Sequence, residues 1–245
     1  MLLSDDYAIK ALKSQVQISN SIVQDNDQLL IANTQSILDI INTTFANITC
    51  NNVLFSAISS AVTIRNVSLK NVSYLSTSNV FSKIEILSQS SFDADNFTID
   101  GVVGPLIYAT ESTINVSNSL IQNSLNYDNL NPLISLDSST IGFANTSMKN
   151  LKSLLFSPIF SLSSNTFELS NSSITDFDKT LFGIDEGVYS FKGLKVQNGS
   201  NTATKASNSI VFDTKNANLS LSNSEFTGIS TLHSCPIVYI ERDDF

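Results

Sequence analysis

Charge is scarce in this chain. Only 14% of its 245 residues are Asp, Glu, Lys or Arg, where about a quarter is usual in a soluble protein. Solubility must therefore come from neutral hydroxyls and amides. The net charge is −9, with 13 Lys and Arg in all; contact with nucleic-acid phosphates needs clustered cations, so this balance argues against that partner. No apolar run approaches the roughly 20 residues of a transmembrane helix. Met1-Leu2-Leu3 gives way at once to Ser4-Asp5-Asp6, so no signal-peptide apolar region develops. Tryptophan is absent, and one His with two Cys cannot furnish a tetrahedral zinc site. Eight glycines are too few for glycine-rich calcium-binding β-roll repeats.

What is present is Ser, Asn and apolar residues, the last at 42%, which suits a folded chain rather than a disordered one. Short phrases recur, such as Val116-Ser117-Asn118-Ser119-Leu120-Ile121 and Leu169-Ser170-Asn171-Ser172-Ser173-Ile174. Alignment on the Asn yields nine anchors: Asn20, Asn42, Asn66, Asn96, Asn118, Asn145, Asn171, Gly193 and Asn223. Their mean spacing, (223 − 20)/8 or about 25 residues, is that of a solenoid coil.

The columns around each anchor carry the argument. Positions −4 (Val16, Leu38, Val62 and onward), −2 (Ile18, Ile40, Ile64 and onward) and +3 (Val23, Phe45, Leu69 and onward) are apolar in every repeat. Position +5 is always Asn, Asp or Gly: Asp25, Asn47, Asn71, Gly101, Asn123, Asn150, Asp176, Asn198, Gly228. The period of two at −4 and −2 marks the inward face of a short strand. The anchor and its +5 partner are residue types that tolerate a left-handed backbone, so they mark tight corners. A second strand lies between the corners. A third begins twelve and eleven residues before the anchor, as in Leu30-Ile31, Leu54-Phe55, Leu106-Ile107 and Leu181-Phe182.

Three short strands per coil, all running the same way, predict an all-β right-handed parallel β-helix of about nine coils, with residues 1–245 as one domain. The anchor asparagines Asn20, Asn42, Asn66, Asn96, Asn118, Asn145, Asn171 and Asn223 are expected to stack into an amide ladder. From −12 to +5 the pattern holds its length, so the variation in period, 22 to 30 residues, falls on one edge, around 49–53, 73–83, 125–132, 152–158 and 200–210. Neither end carries a recognisable cap, and an uncapped coil offers an unpaired strand edge. The expectation is therefore a segment of a longer β-helix protein, with stacking of copies as the alternative. Cys50 and Cys235 lie about seven turns apart on the insertion edge, too far for a mutual disulfide.

Ten Asn-X-Ser/Thr sequons occur, most of them within reach of composition alone. Five fall on anchors. The better glycosylation candidates are Asn115 and Asn218, expected to point outward; the second-corner residues Asn47, Asn71 and Asn198 are intermediate.

These columns resemble the coils of the pectin-lyase-like superfamily over almost the whole chain. In texture the chain is similar to Ser/Asn-rich cell-surface β-helix proteins, the ciliate and adhesin types, as in Ile64-Arg65-Asn66-Val67-Ser68-Leu69-Lys70-Asn71. The catalytic patterns of that superfamily do not follow. Arg65 and Arg242 stand at opposite ends, and the paired aspartates are Asp5-Asp6 and Asp243-Asp244. The single histidine sits in Leu232-His233-Ser234-Cys235, without the Gly-His-Gly of polygalacturonases. Asp93, Asp95 and Asp100 surround one anchor and read as outward solvated residues ahead of a cation site.

The expected function is an extracellular, cell-surface structural or adhesive rod, or a filament subunit of a surface glycoprotein. It would carry N-linked glycans and associate with copies of itself or other surface proteins, with no cofactor, metal or catalysis. The rival is a divergent carbohydrate-binding or polysaccharide-degrading β-helix domain.

Overall fold

The computed structural model describes residues 9–27, 31–50, 53–74, 82–127, 131–153, 157–201, 209–231 and 235–241. It is an all-β parallel solenoid of about 8 turns, with no helix among the described residues. The expected nine coils become eight because nine anchors bound only eight complete circuits. Every ladder between described strands is parallel and joins one coil to the next. No described helix is long and apolar enough to cross a membrane.

Three faces repeat. The first carries strands such as Ile37–Ile41, Thr113–Ser117 and Thr140–Ala144. The second carries Thr44–Cys50, Leu120–Asn126 and Ser147–Ser153. The third carries Ile31–Thr34, Phe55–Ile58, Ile84–Leu87 and Ile107–Thr110. In Ala61–Tyr74 and Ser91–Val102 the strand runs unbroken through the corner from the first face to the second.

The apolar columns are the core. Leu38, Ile40, Phe45 and their equivalents are buried through the middle seven rows. The outer rows differ: Val16, Ile18, Val23, Leu219 and Phe226 are only partly buried, and Leu221 is 41% exposed. These coils have a neighbour on one side alone among the described residues, so their inward side chains lack one layer of contacts. Toward the carboxyl-terminal half the interior is aromatic. Phe160, Phe182 and Phe212 stack along the axis at 5.0 and 5.2 Å, and Phe191 meets Phe212 edge-on at 4.8 Å. Such pairs add to the hydrophobic gain of burial.

All nine anchors and all nine +5 residues have positive φ, from Asn171 at 47° to Gly101 at 72°. A third left-handed column, at −7, is not suggested by residue type: Lys13, Gln35, Ser59, Gln89, Glu111, Ser138, Ser164, Glu186 and Asn216. The −12 to +5 frame is also not constant. Ile84 pairs with Ile107 and Ser91 with Thr113, so the coil of Asn96 holds one extra residue. It is absorbed at this third corner, where both Ser88 and Gln89 are left-handed.

The insertion segments fall partly outside the described residues, as does Leu30. Where they are described, strand extends further than expected: Thr44–Cys50 and Ala61–Tyr74 both run into the segments read as loops.

Candidate functional site

Two corners carry stacked amides. In the anchor column, Nδ2 of Asn42 donates to Oδ1 of Asn20 (3.1 Å), Asn66 to Asn42 (3.0 Å), Asn96 to Asn66 (2.8 Å) and Asn145 to Asn118 (3.3 Å). The expected ladder is interrupted at three steps. Asn118 turns to Asp95 Oδ1 at 2.7 Å instead of Asn96. Among the described residues no side-chain bond joins Asn145 to Asn171, or either to Asn223, because Gly193 stands between the last two. A Cβ on Gly193 would lie 2.9 Å from Asn171 Oδ1.

The +5 column is a second ladder. Asn71 donates to Asn47 (3.1 Å), Asn47 to Asp25 (2.9 Å), Asn150 to Asn123 (2.9 Å) and Asn198 to Asp176 (3.2 Å). The sequon residues Asn47, Asn71 and Asn198 are thus exposed, yet each commits its Nδ2, the atom that would bear a glycan. Asn115 also points outward and donates to Asp93 Oδ1 at 2.7 Å. Asn218 is exposed at the start of Asn218–Ser222.

Two of the three aspartates around Asn96, Asp95 and Asp100, take up amides of these ladders. Asp93 accepts from Asn115, Asp95 from Asn118 and Ser117, and Asp100 from Gln122 (3.0 Å) and Asn123 (2.7 Å). Hydrogen bonds from Asn118 and then Ser117 hold the Asp95 carboxyl below the usual carboxylate range. Among the described residues no three His, Cys, Asp or Glu side chains are grouped to hold a metal. Arg65 stands one coil below Asp95. Arg242, His233 and both aspartate pairs lie outside the described residues.

At the third corner a serine ladder does what the amides do elsewhere. The backbone N–H of Ser14 donates to Ser36 Oγ, Ser36 to Ser60, Ser60 to Ser90, Ser90 to Ser112 and Ser112 to Ser139, at 3.1 to 3.3 Å. Each of these hydroxyls donates in turn to a carbonyl of its own coil, as Ser36 does to Thr34 at 2.7 Å and Ser60 to Ile58 at 2.8 Å. Asn165 Oδ1 takes the next amide, from Ser139, at 2.9 Å. At Gly187 the Tyr189 hydroxyl takes over, accepting Asn165 N–H at 3.4 Å and donating to Asp185 O at 3.3 Å. A Cβ on Gly187 would collide with Asn165 O, so only glycine leaves room. Burial pushes the Tyr189 phenol up to about 12. The signal for this ladder was in the sequence: six serines recur at −6.

Beside Gly193 the corner opens into a shallow cleft of about 570 Å³, lined by Asn145, Asn171, Asn223, Ser147, Ser173 and Lys195 among others. One further group is buried. Lys83 occupies the inward column of Leu54, Leu106, Leu133, Ile159, Leu181 and Val211 and is itself fully buried. Its Nζ lies 3.0 Å from Cys50 Sγ and 3.0 Å from Ser73 O. Cys50, read as part of the insertion edge, points inward and is 1% exposed. Cys235 is partly exposed, and neither cysteine is in a disulfide.

The chain matches no family profile and no curated protein. Among solved structures it is similar to HetL, a pentapeptide repeat protein involved in heterocyst differentiation regulation from the cyanobacterium Nostoc sp. strain PCC 7120, at 9% identity, covering 91% of this chain and 87% of that one, with a TM-score of 0.23. It is also similar to the endo-xylogalacturonan hydrolase of Aspergillus tubingensis, at 10% identity, 91% and 85% coverage and a TM-score of 0.25. A third is the A-module of the Azotobacter vinelandii mannuronan C-5 epimerase AlgE6, at 7% identity, 94% and 89% coverage and a TM-score of 0.16. The chain's own parallel strand registers define the fold.

Proposed function

We propose that this chain is a structural or adhesive rod of an extracellular surface glycoprotein, whose work is mechanical: spacing, stacking and presenting one edge of loops. The observation that carries this reading is the pair of exposed amide ladders. They spend side chains that elsewhere serve binding on coil-to-coil bonds, and they stiffen the corners over most of the rod's length. The outward residues between them, such as Thr113, Asn115 and Ser117, are neutral and hydroxyl- or amide-bearing, a surface that stays soluble with little charge. Asn218, exposed at the start of its strand, is the sequon best placed to carry a glycan, while Asn115 would first have to release its bond to Asp93; lateral or end-on association with like rods fits the long regular faces. Antibody labelling of intact cells tests the reading. Labelling without permeabilisation, with mass lost on enzymatic glycan release, is expected. Labelling only after permeabilisation contradicts it.

The Gly193 cleft favours one second reading, a carbohydrate-binding surface. Its amides and hydroxyls beside Lys195 suit a hydroxyl-rich, acidic glycan. Titration of uronate-containing polysaccharides with the purified chain decides this, saturable binding abolished by Gly193→Asn supporting it.

A further inference from the structure

We propose that Cys50 and Lys83 form a peroxide-driven covalent cross-link, a sulfur–nitrogen bond that staples two coils through the interior. Lys83 is an anomaly in its column: all six of the aligned residues named above are Leu, Ile or Val. Burial holds the Lys83 ammonium below its ordinary value. A shift in that direction eases loss of the proton that an attacking amine must shed. Its Nζ sits 3.0 Å from Cys50 Sγ, and the Ser73 carbonyl fixes it from another side at the same distance. The two residues are 33 apart in the chain, so the bond would close the whole segment between them.

The chemistry balances. Peroxide oxidises the Cys50 thiol to a sulfenic acid and leaves as one water. The Lys83 amine then attacks sulfur; the S–O bond breaks, and the departing hydroxide takes a proton from nitrogen to leave as a second water. Sulfur has lost two electrons, peroxide has gained two, and the protein has lost two hydrogens. A thiol reductant reverses the step. It attacks sulfur to release the amine, and a second thiol then returns Cys50 to its reduced form. Burial raises the Cys50 thiol above its ordinary value, which slows the first step; Cys235, partly exposed, is the more accessible to peroxide.

The test uses the full chain treated with hydrogen peroxide, digested and mass-mapped. The expected product joins the Cys50 and Lys83 peptides at two hydrogens less than their sum, and dithiothreitol separates them. Cys50 carrying added oxygens with Lys83 unmodified overturns the proposal. So does a Cys50 peptide unchanged after Cys235 has been fully oxidised, or the two peptides joined with an oxygen retained. Lys83→Met, checked for folding by circular dichroism, is expected to yield no such product; the wild-type map decides without it.

Discussion

The side-chain amide of Asn96 donates to Asn66 Oδ1 at 2.8 Å across 30 residues of chain, whereas Asn42 and Asn20, only 22 apart, bond at 3.1 Å. Eight additional residues leave the ladder undisturbed, because seven fall at the insertion edge, one is absorbed at the third corner, and the parallel register is kept beyond them. A loop's closure cost grows slowly with length, so the coil tolerates insertion there and nowhere else in its frame, the single residue at 88–89 excepted.

Asn66 does two jobs, and two substitutions separate them. Asn66→Gly keeps the left-handed backbone and removes two ladder bonds, each worth about 0.5–1.5 kcal/mol. Asn66→Ala adds a left-handed penalty of roughly 1–2 kcal/mol. Urea unfolding is expected to rank wild type above Gly and Gly above Ala. Equal Gly and Ala stabilities would show that the corner conformation costs nothing.

Ser60→Ala deprives the Ser36 N–H of its buried acceptor. A loss of about 1–3 kcal/mol is expected, together with faster hydrogen exchange at the Ser36 amide. Ser14 and Ser36 mark the same corner at the outermost coil, so Ser36→Ala, which affects the exposed Ser14, is expected to cost less.

Phe182 lies between Phe160 and Phe212 and is fully buried. Phe182→Ala is expected to cost about 3–5 kcal/mol. Phe226, only partly buried near the last described coil, should cost clearly less on the same substitution. Denaturation midpoints compare the two.

Tyr189 supplies a pH dependence. Its phenol is raised from 10.0 to about 12 in the folded chain, so the unfolded chain loses that proton first as pH rises. The group's contribution to stability is present below pH 10 and disappears as pH climbs toward 12. Tyr189→Phe is expected to flatten this alkaline decline, measured as thermal stability against pH.

Much of this architecture could be read from the chain because its determinants are residue types. The Asn, Asp and Gly columns announced two corners, and the period-two apolar pairs announced the first face. The third corner was illegible by that rule. Lys13, Gln35 and Glu111 have no preference for a left-handed backbone; they are held there by axial bonds, such as Gln35 N–H to Ile58 O at 2.9 Å, and by the serines that follow them. Lys83 stayed hidden for a related reason. The extra residue at 88–89 shifts the count by one, placing Ile84 where the frame expects the column and Lys83 outside it. The second amide ladder was seen as corners only, since spacing gives the backbone turn but not the side-chain bond.

Equivalent residues of successive coils lie directly above one another. Thr63 and Asp93 are paired on the outer side of the first face, and Asn115 sits one coil further on. Adjacent coils are about 4.8 Å apart, within reach of a disulfide, whereas two steps, about 10 Å, are not. Oxidation followed by peptide mapping of two double variants is the direct test. Thr63→Cys with Asp93→Cys should close a disulfide, and Thr63→Cys with Asn115→Cys should not; closure of the second pair alone, or of neither, would contradict the stacking.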